Sequence, residues 1–205
     1  MVRWEQAAFD VFAIDGLEAR MEALIARVRP NLTTLGEELQ PFFAQLCGNE
    51  MFPHVAKHAR RTVNPPNDTW VAWASGKRGY KALPHFQFGM WGTHVFVQFA
   101  VIYESGNKVT FANALERNLD GIRAAIPGDY VWSMDHMKPT GTAHAAMSDA
   151  DFAEMIRKLR DVKASEVTCG IHIDRHDPIL LDPAALTARL EEVYTTLLPL
   201  YRLSF

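Results

Sequence analysis

The hydrophobic and polar positions of this chain change period along its length. In "DGLEARMEALIARVRP" (15–30), Leu17, Met21, Leu24, Ile25 and Val28 recur at spacings of three and four, which predicts an amphipathic helix. Asp15 stands where an N-cap acceptor belongs, and Pro30 where the helix should stop. "NLTTLGEELQPFFAQLCG" (31–48) is a second helical stretch. Pro41 in its interior predicts a kink or break near Leu39, and Gly48 supplies a stop.

The pattern then shortens. "DTWVAWA" (68–74), "HFQFGMW" (85–91) and "HVFVQFAVIYE" (94–104) are aromatic and β-branched runs that predict strands. "MWGTH" between the last two is a reversal with Gly92 at its tip, so antiparallel pairing is expected. Helical spacing returns in "NKVTFANALERNLDGIRAAIP" (107–127), with Phe111, Leu115, Leu119 and Ile122 on one face. "DYVWSM" (129–134) and "SEVTCGIHID" (165–174) read as strands. Between them Ser148 caps "DADFAEMIRKLRDV", whose acids lead and whose bases trail, as the helix dipole favours. Asp182 and Pro183 form an N-cap and first-turn pair for "AALTARLEEVYTTLLPLY". This order predicts an α+β fold, a mainly antiparallel sheet with helices packed against it.

With 205 residues, 48% hydrophobic and 22% charged, the chain suits a single domain spanning 1–205, and no linker or repeat interrupts it. Glu5, Asp10 and Asp15 exclude a signal-peptide core, and "VFVQFAVIY" is under half a membrane span. Cys47 and Cys169 belong to no ligand or redox motif. They read as small hydrophobes in a reducing compartment, hence a cytoplasmic protein with no membrane partner. No cofactor motif is present, and nothing specifies an oligomeric state.

Charge changes this picture. The net charge is −3, yet residues 54–81 hold Lys57, Arg60, Arg61, Lys77, Arg78 and Lys81 against the single acid Asp68. Such asymmetry gives a local field that attracts anions. "HVAKHARRTVNPPNDTWVAW" (54–73) opens this region, and its first half reads as a strand, 54–63, pairing with 69–75 across a rigid proline turn. Asn64, Asn67 and Asp68 are expected to fix that turn through side-chain to backbone bonds. His54 and His58 share a face on a strand or on a helix; Arg60 joins them on the first and Arg61 on the second. Arginine forks and imidazoles that donate or protonate near neutral pH suit a phosphate or carboxylate. Two other readings of the pair are a metal site and histidines bridging backbone groups at a sheet edge.

"SGKRGYKALPH" (75–85) adds Lys77, Arg78 and Lys81 around Gly76 and Gly79, close to the strand end that carries His54. It lacks the phosphate-loop spacing. His85 and, in "MDHMKP" (134–139), Asp135, His136 and Lys138 are secondary candidates. His172, Asp174 and His176 alternate in "HIDRHD" and offer N, O and N ligands on one strand face. Their position at a strand end equally suits solvated polar residues, and no metal is assigned. Trp70, Trp73, Tyr80, Phe86 and Trp91 among the bases invite a nucleic-acid reading, but a pI of about 6.2 and strand patterns that need a core favour packing.

"DVFAIDGLEARMEAL", "LGEELQPFF", "FPHVAKHARRTVNPPNDTWVAW", "KRGYKALPHFQFGMWGTHVFVQFAVIYE", "DHMKP" and "LLPLYR" together resemble the YktB-like proteins, a bacterial family of unknown function. The likeness runs over roughly residues 4–202. It implies a compact cytoplasmic α+β protein and brings no activity, cofactor or partner. The expectation is therefore a protein that binds a small phosphorylated or other anionic ligand at 54–85. If it is an enzyme, hydrolysis or transfer at a phosphoryl or acyl centre is expected, with His58 or His136 as acid–base. The alternatives are a basic hairpin that docks on an acidic protein or nucleic acid, and histidine-based metal or haem binding.

Overall fold

A computed structural model describes residues 2–205. The chain forms α1 (Gln6–Asp10), α2 (Leu17–Arg27), α3 (Arg29–Cys47), β1 (Phe52–Val55), β2 (Asp68–Ala74), β3 (His85–Trp91) and β4 (His94–Val101). It continues through α4 (Lys108–Arg117), α5 (Leu119–Ala125), β5 (Val131–Ser133), β6 (Thr142–Ala143), α6 (Asp149–Asp161), β7 (Val167–Asp174) and α7 (Pro183–Arg202). The strands make one sheet in the order β1-β2-β3-β4-β7-β5-β6, with every pair antiparallel. The fold is α+β.

Directly opposed residues of an antiparallel pair share a face, so the register divides the side chains into two sets. Val71, Trp73, Phe86, Phe88, Val97, Phe99 and Ile171 lie on one face. All are buried there with Leu35, Leu39 and Phe43 of α3 and Leu190, Val193, Tyr194 and Leu197 of α7. Phe43 packs on Trp73, Phe86 and Tyr194 at centroid distances of 4.7, 5.1 and 4.7 Å. Phe111 of α4 meets Phe99, and Phe152 of α6 meets Trp132. Polar atoms within the layer find backbone partners at two aromatics: Trp73 Nε1 donates to Gly36 O at 2.9 Å, and Tyr194 Oη donates to Gln87 O at 2.9 Å. Each such aromatic contributes roughly 1.5–3 kcal/mol by leaving water. α3 and α7 thus cover one face, and the other is left for loops.

Local chemistry explains most element ends. Ser148 and Asp151 form a reciprocal capping box on α6, and the Asp182 carboxylate accepts from the amides of Ala184 and Ala185 on α7. Four expectations are corrected. The cap of α2 is Gly16, at φ +82°, and not Asp15. Pro30 sits in the first turn of α3 and starts that helix. Pro41 does not break it: the proline is exposed while Leu39 and Phe43 on either side are buried, so packing holds the helix through the missing amide. The 107–127 stretch is two helices. Asn118 turns its Nδ2 back onto Ala114 O at 2.8 Å and ends α4.

A cleft on the loop-covered face of the sheet

The uncovered face carries His54, Trp70, His85, Gln87, Trp91, Phe96, Gln98, Thr168 and His172. A face open to water would leave its polar groups exposed, yet Asp68, His85, Gln87 and Thr168 are buried. Loops 56–67, 75–84 and 134–141 close over them. Gly89 makes this geometry fit, since a Cβ there would stand 2.2 Å from the Phe96 ring, which lies across it. A glycine inside a strand pattern marks such an approach and is the signal a sequence reader can use.

The expected strand over 54–63 ends at Val55. Beyond Ala56, whose amide still bonds Trp70 O, the chain leaves the sheet, and His58 takes a left-handed φ of +52°. The strand-face argument for His54, His58 and Arg60 therefore fails. Non-local contacts hold the loop: Arg29 donates to Lys57 O, and the buried Arg20 donates to Ile14 O, Pro66 O and Asn67 Oδ1 at 2.8, 3.0 and 3.2 Å. Asn67 is thus fixed by an arginine that sequence reading missed. Asp68 does not fix the turn; it opens β2 and lines the loop-covered face.

The loops enclose a cleft of about 490 Å³. Lys57, His58, Arg60, Arg61 and Lys81 line it with Trp70, Tyr80, Tyr103, Glu104 and His136. The structure therefore brings His58, Arg60, Arg61, Lys81 and His136 together from three separate segments. Lys77 and Arg78 are exposed outside this lining. Lys81 shares its charge with Glu104 at 3.2 Å, and Arg61 Nη1 donates to Asn64 O at 3.3 Å. Arg60 makes no hydrogen bond among the described residues and is free to meet a ligand.

The histidines differ in role. His54 Nε2 donates to Gly76 O at 2.8 Å, a backbone bridge at the sheet edge. His58 bonds Thr69 Oγ1 at 3.2 Å and stands edge-on to Trp70. Burial, then Arg61 and Arg29, pull its pKa down to about 4, so it is neutral at physiological pH and is no switch there. His85 is wholly buried and donates from Nδ1 to Leu83 O at 2.8 Å; burial sets its pKa at about 4. His136 is the exception. Its Nδ1 meets Glu166 Oε1 at 2.6 Å, and its backbone amide donates to the same oxygen at 2.8 Å. Burial lowers its pKa, but the hydrogen bond and charge of Glu166 outweigh that and raise it. Nothing in the sequence marks Glu166 as its partner, 30 residues away. Asp135 bonds Met137 N and pairs with Lys138 at 3.3 Å, so these two mainly shape the loop.

His172 stacks on His94 at 4.3 Å, while His176 has left the strand and its amide bonds Asp174 Oδ1 at 2.8 Å. Among the described residues no three His, Cys, Asp or Glu side chains are grouped to hold a metal ion. Among the described residues no helix is long and apolar enough to cross a membrane.

Residues 4–201 match the family described as a domain of unknown function, DUF1054. The chain belongs to it. A UPF0637 protein of Bacillus velezensis is 46% identical over 203 residues, 99% of this chain and 97% of that one. UPF0637 proteins of Bacillus cereus and Bacillus anthracis are each 46% identical over 195 residues, covering 95% of this chain and 94% of theirs. The resemblance read from the sequence thus stands as family membership, and the DUF1054 description carries no activity.

Proposed function

We propose that this DUF1054 protein binds a small anionic ligand, a phosphate ester in the first instance, in the cleft between the 56–61, 80–81 and 136–137 segments. The observation that supports it is the convergence of Lys57, Arg60, Arg61 and Lys81 on one cavity against Glu104 alone. Arg60 supplies an uncommitted guanidinium fork, and aromatic rings form the adjacent wall. A small-molecule volume favours this over a docked macromolecule. The free thiols of Cys47 and Cys169 suit a cytoplasmic setting.

A thermal-shift panel of inorganic phosphate, sugar phosphates, nucleotides, carboxylates and short oligonucleotides at low salt tests it. A ligand at a hundred times its Kd adds about 2.7 kcal/mol, a rise of roughly 5–10 °C for a chain this size. The rise should vanish in the Arg60→Ala/Arg61→Ala variant. Binding of oligonucleotides alone, with a steep loss in salt, would overturn the small-ligand reading.

One observation favours a catalytic reading as well. Glu166 holds His136 in one tautomer at the cleft wall, the arrangement of an oriented acid–base group. On this reading His136 moves the proton during hydrolysis or transfer at a phosphoryl or acyl centre, and His58 does not. Turnover of phosphate and carboxylate esters should disappear in His136→Asn and survive in His58→Ala; equal loss in both removes the assignment.

A further inference from the structure

Behind the cleft lies a second, much smaller recess, with room for about 20 Å³, the scale of a single water. Trp70 and His136 line both cavities, so the two are neighbours that share these side chains as a wall. Asp68, Trp91, Phe96 and Gln98 complete the part that matters here. Asp68 is 3% exposed, and among the described residues only its own backbone amide donates to its carboxylate. Burial with no donor from another side chain penalises the charged form. It pushes the Asp68 pKa up to about 6, against the opposing charges of His136 and Arg61.

A chain of hydrogen bonds sets the polarity of the opposite wall. Leu83 O only accepts, so His85 Nδ1 carries the proton, and neutral His85 presents a lone pair at Nε2. Gln87 Nε2 donates to that lone pair at 2.9 Å. Gln87 Oε1 then accepts from Gln98 Nε2 at 2.8 Å. Among the described residues Gln98 Oε1 is left as an acceptor with no partner. Reversing the chain requires protonating a wholly buried imidazole.

Two acceptors with no side-chain donor, one of them a carboxylate, thus face a water-sized space walled by three aromatic rings. An ammonium group fits each property: it is about as large as water, carries three donors, neutralises the carboxylate and is attracted to aromatic faces. A phosphate is too large and repelled. The cations that line the recess are already matched, His136 by Glu166 and Lys138 by Asp135. We infer that the recess takes the primary ammonium group of the ligand whose phosphate lies in the cleft, so that the ligand is an aminoalkyl phosphate. This rests on the anion-binding reading above and adds the second half of the molecule.

Calorimetric titration at pH 7.5 and low salt compares 2-aminoethyl and 3-aminopropyl phosphate with ethyl and propyl phosphate. A charged hydrogen bond predicts that the amino compounds bind about tenfold tighter or more. Asp68→Asn should erase that advantage, while the plain alkyl phosphates bind it as well as before or better, because a negative charge is gone. Gln98→Met keeps the length, removes the acceptor and should reduce the advantage. Equal affinity for amino and plain phosphates in the unaltered protein overturns the ammonium site and leaves the anion cleft standing. No binding of any phosphate overturns both.

Discussion

At the scale of single residues, Asp68 is the costliest side chain on the loop-covered face. Its folded pKa of about 6 lies above the ordinary aspartate value of 3.8. The folded protein therefore binds this proton more tightly than the unfolded chain. The associated stability is complete below about pH 4 and is lost as pH rises through 6. At 1.36 kcal/mol per unit the loss is on the order of 2–3 kcal/mol. Asp68→Asn should accordingly raise the melting temperature above pH 6.5 and converge with the parent protein near pH 4, measured by calorimetry across that range. Flat, superimposable profiles would show that Asp68 is solvated or paired. A side chain that weakens the fold at working pH is what a binding site retains and packing alone removes. In the sequence Asp68 looked like a turn former, because its neighbours "PPND" are turn residues. Its real role depends on which face β2 turns inward, and pairing alone decides that.

Among the elements, those set by local chemistry were legible. The strands at 68–74 and 85–91 and the caps Ser148 and Asp182 follow from period and side-chain acceptors within a few residues. The 56–67 loop was not, because its shape comes from Arg20 and Arg29 on other elements and from a left-handed His58. Arg20→Met, which keeps the bulk and removes three hydrogen bonds, should cost roughly 2–4 kcal/mol in urea unfolding. It should also speed amide exchange in residues 56–67 and weaken anion binding, although Arg20 is absent from the cleft lining. Ser148→Ala should cost about 1 kcal/mol through loss of the α6 cap and leave binding unchanged. That pair separates loop anchoring from general stability. The basic cluster itself was visible as composition. Which of its members meet was not: Lys81 joins Arg60 and Arg61 across the cleft, while Lys77 and Arg78, beside it in sequence, stay outside.

For the whole molecule, the unequal division of charge would make the proposed anion capture depend on ionic strength. Raising salt from about 0.01 to 0.15 M shortens the Debye length from ~30 to ~8 Å. The association rate of a phosphate ligand should therefore fall severalfold in stopped flow, with the dissociation rate much less affected. The α+β class was readable from element order, whereas the position of the last strand was not. β7 is the last strand made, yet it lies inside the sheet between β4 and β5. A nascent chain that has emerged only through Asp161 presents β4 as a bare edge and has no seat for β5. The back wall that Thr168, Gly170 and His172 give the recess is also still missing. Completion of the sheet and assembly of the proposed binding site are thus the same late event in synthesis. A fragment ending at Asp161 should stay partly collapsed, bind hydrophobic dyes and need a chaperone, and a ribosome stalled there holds a chain that has no function yet.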